Sequence, residues 1–176
     1  VLFRSGTQLL YEFYEERRFW VDLPDVSPVM IRATLAAEDV SFYTHPGYDV
    51  RGIIRAVVND LTRRRSGPQG GSTITQQLVK RLLLSSEQTY IRKMRELVLA
   101  VQVEEVYSKD EVLELYLNQV FYGNQSYGIE AAALSYFDKH ASDLNLAEAT
   151  ILAGLVQAPS DYDPVIDRKS TRLNSS

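Results

Sequence analysis

Glu38 and Asp39 end an alanine-rich apolar run and are followed at once by Phe42, His45 and Gly47, in the stretch EDVSFYTHPG. A carboxylate at an apolar helix end is partly stripped of water, which suits it to accept a proton as a general base. The adjoining aspartate can orient it or a nearby cation. Taken alone, such a pair is more often a solvated helix end, and a histidine such as His45 more often caps or packs. A second stretch, GGSTITQQLVK from Gly70 to Lys80, sets glycines ahead of a helix start. Backbone N–H groups left free there favour anions. Gln77 and Lys80 stand three residues apart, so they share a face, and the lysine can neutralise a phosphate. The spacing is not that of a Walker A loop. A third stretch, Arg92-Lys93-Met94-Arg95-Glu96, pairs Arg92 with Glu96 at i, i+4 and Lys93 with Glu96 at i, i+3. It reads as a surface ion-pair ladder or as a diphosphate clamp with a carboxylate beside it, and spacing alone favours the ladder.

Positioning these groups falls to helices. Ser27-Pro28 supplies an N-cap and a proline at the first helical position, and Val29 to Asp39 should be helical. Asp49 caps a second helix, which ends in the Arg63-Arg64-Arg65-Ser66-Gly67-Pro68 loop. Ser72 begins a third, with Ile74, Leu78 and Leu82 along its face. The longest helix is expected near residues 87–107, with Ile91, Met94, Val98 and Val101 as its apolar stripe. Ser108-x-x-Glu111 and Asn145-x-x-Glu148 are capping boxes for helices near 109–121 and 146–157. Another helix is expected at 128–138, after an Asn124–Gly128 loop. Residues 9–21 are rich in aromatics and suggest a short hairpin. The fold class is therefore mainly α with a short β-like N-terminal segment.

Composition bounds the rest. Nineteen lysines and arginines against 23 acids give a net charge of −4, which argues against a nucleic-acid partner. The Arg63–Arg65 run lacks an aromatic platform and does not change that. No cysteine means no disulfide, thiolate metal site or thiol nucleophile. The longest apolar run, Leu97 to Val101, falls far short of the ~20 residues of a membrane span. His140 has no partner at ligand spacing and reads as surface. Residues 1–5 (VLFRS) and 167–176 (DRKSTRLNSS) resemble in-frame translations of sequencing-adapter DNA. The expected domain is thus 6–166, cut from a longer gene.

Together the motifs resemble glycosyltransferase family 51, the peptidoglycan polymerases of class A penicillin-binding proteins of the 1A type and their monofunctional relatives. EDVSFYTHPG is similar to the family's first motif, GGSTITQQLVK to its second, RKMRE to its third and KDEVLELYLN to its fourth, in that order. Two family features have no counterpart in the chain: a basic pair beyond the QAPS stretch, and an N-terminal membrane helix.

The resemblance implies a lysozyme-like helical fold and the polymerisation of lipid II into glycan strands, with inversion and release of undecaprenyl diphosphate. It implies Glu38 as general base, and Lys80, Arg92 and Lys93 as partners of the diphosphate. Thr73 and Gln77 would position the donor, while Asp39, Phe42 and His45 would shape the acceptor pocket. Glu96 would orient the basic cluster or ligate a divalent cation such as Mg2+; no cofactor is required outright. Lys109, Glu114, Tyr116 and Asn118 look structural. The implied partners are lipid II, the growing strand, a membrane lipid surface on the extracytoplasmic face and a fused transpeptidase domain. The alternatives are a lytic glycan-cleaving enzyme on a similar fold and a non-catalytic helical module that binds lipid II or a partner.

Overall fold

The structure, a computed structural model, describes residues 2–4, 8–11, 17–50, 52, 72–83 and 90–157. The expected helix beginning at Asp49 and the Arg63–Arg65 loop lie largely outside these residues, as do Gly70, Gly71 and most of both terminal segments. The described part is mainly α, in keeping with a lysozyme-like glycosyltransferase domain. Its helices are α1 (Pro28–Glu38), α2 (Ile74–Leu83), α3 (Tyr90–Val106), α4 (Lys109–Gln119), α5 (Ile129–Phe137) and α6 (Leu146–Gln157). The strands are β1 (Leu2–Arg4), β2 (Gln8–Tyr11), β3 (Arg17–Arg18) and β4 (Ser126–Tyr127).

The short β pairings differ from the expected 9–21 hairpin. β2 pairs antiparallel with β1, and β3 runs parallel to β4, more than a hundred residues away. Aromatic content alone does not say which partner a strand finds.

Both capping boxes form. The Ser108 hydroxyl accepts from the Glu111 N–H at 3.3 Å, and the Glu111 carboxylate accepts from the Ser108 N–H at 2.7 Å. The Ser108 hydroxyl also donates to that carboxylate at 2.8 Å, and the two donors lower the pKa of Glu111, the Ser108 N–H first and its hydroxyl second. Asn145 and Glu148 repeat the exchange, each accepting from the other's N–H at 3.0 Å. Ser27 behaves differently. Its hydroxyl makes no cap; it donates to the Leu144 carbonyl at 2.8 Å and ties the start of α1 to the lead into α6.

α1 packs on α6, and α2 packs on α3 and α4. Between them lies a core that includes Met30, Phe42, Ile74, Leu78, Leu113, Tyr116, Leu117, Ile129, Leu152 and Leu155. Truncating Leu117 or Leu152, both fully buried, to alanine should cost about 2–5 kcal/mol. α4 also anchors the extended chain before α1. The Asn118 side chain accepts from the Val21 N–H at 2.9 Å and donates to its carbonyl at 2.8 Å. Glu114 accepts from the Leu23 N–H at 2.8 Å.

Two faces differ from expectation. On α2 the buried side is Ile74, Thr75, Leu78 and Val79, while Leu82 is half exposed. On α3 the apolar stripe is not core: Ile91, Met94 and Val98 are 66%, 62% and 55% exposed, and the buried residues are Glu96 and Ala100. Helical periodicity identifies an apolar side but not what covers it.

Candidate active site

The first motif leaves α1 at Glu38 and crosses to α2. One Glu38 oxygen, Oε2, accepts a hydrogen bond from the Gln77 amide Nε2 at 2.7 Å. The other, Oε1, is buried and has no hydrogen-bond partner among the described residues. Gln77 Oε1 in turn accepts from the Tyr116 hydroxyl at 3.2 Å. Tyr116 is fully buried, and its pKa is raised by that burial first and by the Glu38 charge second. A buried carboxylate oxygen with no donor costs about 1–3 kcal/mol. Glu96 Oε1, on the third motif, is likewise buried without a hydrogen bond among the described residues.

Asp39 points elsewhere. Its carboxylate binds His45 Nε2 at 2.9 and 3.1 Å and accepts from the Ile74 N–H at 3.1 Å. The start of α2 closes its other donors internally. Thr73 Oγ1 accepts from the Gln76 N–H at 3.2 Å, and Gln76 Oε1 accepts from the Thr73 N–H at 3.1 Å. This is a third capping box, one residue later than the expected start at Ser72. The helix N-terminus does bind an anion, and that anion is Asp39.

The two adjacent glutamines therefore do separate work: Gln76 caps, and Gln77 holds Glu38. Thr73 is nearly fully buried, and its hydroxyl also donates to the Gly47 carbonyl at 2.7 Å. Gly47 has φ +83° and lies against α3, where a Cβ would come within 2.8 Å of the Ala100 carbonyl oxygen. Only glycine fits that approach. Phe42 is buried, and Lys109 crosses its ring at 4.6 Å while donating to the His45 carbonyl at 2.6 Å and pairing with Glu104. Asp39, Phe42 and His45 thus form one tethered loop beneath Glu38.

The third motif is not a surface ladder. Glu96 is 2% exposed. Lys93 Nζ reaches its Oε2 at 2.8 Å, and Arg92 approaches its Oε1 at 3.5 Å. Lys93 also donates to Ser72 Oγ at 2.8 Å, which joins α3 to the lead into α2. Lys80 follows Gln77 by three residues and is exposed, with no hydrogen-bond partner among the described residues. Of the Glu96 oxygens, Oε2 carries Lys93, while Oε1 makes no hydrogen bond among the described residues. Among the described residues no group of three or more His, Asp or Glu could hold a metal.

Two contacts were not legible from spacing, the first in the site and the second outside it. Tyr116 stands 39 residues from Gln77, and only the packing of α2 on α4 brings them together. His140 is exposed as expected, yet its Nδ1 lies 2.6 Å from Glu130 Oε1. That hydrogen bond raises its pKa.

This geometry sits in a chain whose relatives are informative. The family profile described as Transglycosylase matches residues 6–175. Penicillin-binding protein 2D of Bacillus subtilis (strain 168) is 43% identical over 173 residues, covering 98% of this chain and 25% of the relative. Penicillin-binding protein 1A of Neisseria flavescens is 42% identical over 176 residues, 99% of this chain and 22% of the relative. That of Neisseria lactamica is 46% identical over 172 residues, 98% and 21%. The chain spans a quarter or less of the length of these relatives. With the four motifs folded into one connected site, the chain belongs to the transglycosylase family, glycosyltransferase family 51, the peptidoglycan glycosyltransferase domains of the bacterial cell envelope.

Proposed function

We propose that this domain polymerises lipid II, with Glu38 as the general base. The observation that carries this reading is the split environment of its carboxylate: Oε2 is fixed by Gln77, and Oε1 is buried without a donor among the described residues. In the reaction Glu38 takes the proton from the 4-hydroxyl of the incoming lipid II. The hydroxyl oxygen forms a bond to the anomeric carbon of the growing strand. The bond from that carbon to the lipid diphosphate breaks, and the electron pair leaves with the diphosphate, turning α into β. Attack and departure lie on opposite sides of the carbon, so the leaving group needs its own stabilisation. Arg92 and Lys93, held by Glu96, and the exposed Lys80 meet that charge as electrostatic partners rather than as acids. Gln77 orients the base. Thr73, Asp39, Phe42 and His45 keep the loop and the helix start in register beneath it.

The domain works on a membrane surface. Among the described residues no helix is long and apolar enough to cross a membrane. Ile91, Met94 and Val98 expose one side of α3, and Leu82 and Leu83 are exposed at the end of α2, which packs on α3. An uncovered apolar stripe of this kind suits burial at the headgroup boundary. It would hold the site at the depth of the lipid diphosphate, on the extracytoplasmic face. The much longer relatives are consistent with a transpeptidase domain fused to this one in the whole protein.

The test is lipid II polymerisation in detergent with Mg2+, the products resolved on a gel, alongside purified sacculi. Glycan strands from lipid II and no release from sacculi are expected. Muropeptides released from sacculi would instead establish a lytic enzyme.

A further inference from the structure

We infer that Tyr116 is a positioning residue for the base: its hydroxyl anchors the far end of the Gln77 carboxamide, so that the N–H stays on Glu38 Oε2 and Oε1 is left to take the proton. The inference rests on the reading of Glu38 as base and adds a residue whose motif otherwise looks structural. A glutamine amide can sit either way round, with its oxygen or its nitrogen toward a neighbour. The Glu38 carboxylate, which only accepts, takes the N–H side of the amide at 2.7 Å, and the Tyr116 OH donates to the other end, Gln77 Oε1, at 3.2 Å, so the amide is anchored at both ends by contacts across three helices. Nothing else among the described residues donates to either Glu38 oxygen. Tyr116 is 0% exposed, and its ring is fixed in the core between α2 and α4.

The phenol is a dependable lock. Burial and the nearby Glu38 charge hold it protonated, so it remains a donor across any practical assay range. The charged and titratable groups around it are Glu38 and Asp39 from the end of α1, with His45 bound to Asp39, Arg81 from α2, and Tyr122 beyond α4. None of the others offers Gln77 Oε1 a hydrogen bond.

Removing the lock has a directional consequence. Without the phenol the amide loses one of its two anchors and is free to swing away from the carboxylate. A donor facing a carboxylate favours the charged, proton-accepting form, and losing that donor disfavours it. The variant therefore loses its working base at a higher pH than the parent does. A residue that merely packs would lower the rate by the same factor at every pH.

The experiment is the pH profile of lipid II polymerisation for the parent, Tyr116→Phe and Tyr136→Phe. Tyr136 donates its hydroxyl to the Tyr122 carbonyl at 3.0 Å, away from Glu38, and so controls for the loss of a structural phenol. Tyr116→Phe should lose about tenfold at the acid end, approach the parent as pH rises, and leave KM for lipid II unchanged. Tyr136→Phe should keep the parental profile. If Tyr116→Phe melts early, Gln77→Met removes the same donor from the partly exposed side and should show the same acid-selective loss. A deficit equal at all pH values, or no deficit, overturns the lock. An active Glu38→Gln, run in parallel, overturns the base assignment itself and is told apart by that result.

Discussion

Glu38 and Glu96 are both glutamates set into packed helices, and their partners differ in charge. Glu38 is held by a neutral amide on one oxygen, with the other without a donor among the described residues. Glu96 Oε2 is held by Lys93 at 2.8 Å, and Arg92 lies 3.5 Å from its Oε1, which likewise makes no hydrogen bond among the described residues. A carboxylate held by an amide can take a proton without breaking an ion pair, and one beside two cations cannot. The first arrangement suits chemistry at a hydroxyl; the second suits anchoring the cations that meet a diphosphate. On the proposed reading the same residue type takes two roles, decided by its neighbours.

The largest effect should come from the proton acceptor. Glu38→Gln is expected to lower lipid II turnover by about 10²–10⁴-fold, the range for a positioned general base. Next come the cations. Lys80→Ala or Arg92→Ala should cost about 10²–10³-fold in kcat/KM, by analogy with lost oxyanion donors. A loss under about tenfold would return that residue to a surface role. Reversing the α3 stripe with Met94→Glu and Val98→Glu together should release the protein from phosphatidylglycerol vesicles in a sedimentation assay, leaving detergent-phase activity close to parental. Vesicle binding unchanged in the double variant would remove α3 from the membrane-facing side.

Smaller effects belong to the caps. Ser108→Ala should cost about 1 kcal/mol in a denaturant melt. The Glu111 side of that box has a lowered folded pKa, so its contribution is present above the unfolded value and fades as pH falls through the folded one. The His140–Glu130 pair has the opposite sign. The folded pKa of His140 is raised, so its contribution is complete below the unfolded value and disappears as pH rises through the folded one. His140→Gln should erase that slope, and a melting temperature with the same slope in both proteins would show that the pair contributes nothing.

What could be read from the sequence was local. The boxes at Ser108/Glu111 and Asn145/Glu148 need only residues three apart, and both form. Thr73-x-x-Gln76 has the same pattern, but a run of Gly, Ser and Thr offers several caps at once and spacing does not choose among them. The motif residues were legible as a set through their resemblance to a family, but their individual contacts were not. A charge run such as Arg92–Glu96 looks solvated until α2 covers it and buries Glu96. The exposed stripe on α3 is the converse case, apolar periodicity without a protein partner. The Glu38–Gln77–Tyr116 chain needs helices 39 residues apart in sequence to meet, at each of its two links. Spacing along a chain carries no trace of that.

The most direct test measures lipid II binding and turnover side by side for Glu38→Gln and Glu96→Gln. Glu38→Gln should bind as the parent does and fail to turn over. Glu96→Gln should bind weakly, because its two cations lose their anchor, and keep part of its turnover at saturating lipid II. The reverse pattern, a Glu38 variant that turns over or a Glu96 variant that binds fully yet is dead, would contradict the division of labour between the two carboxylates.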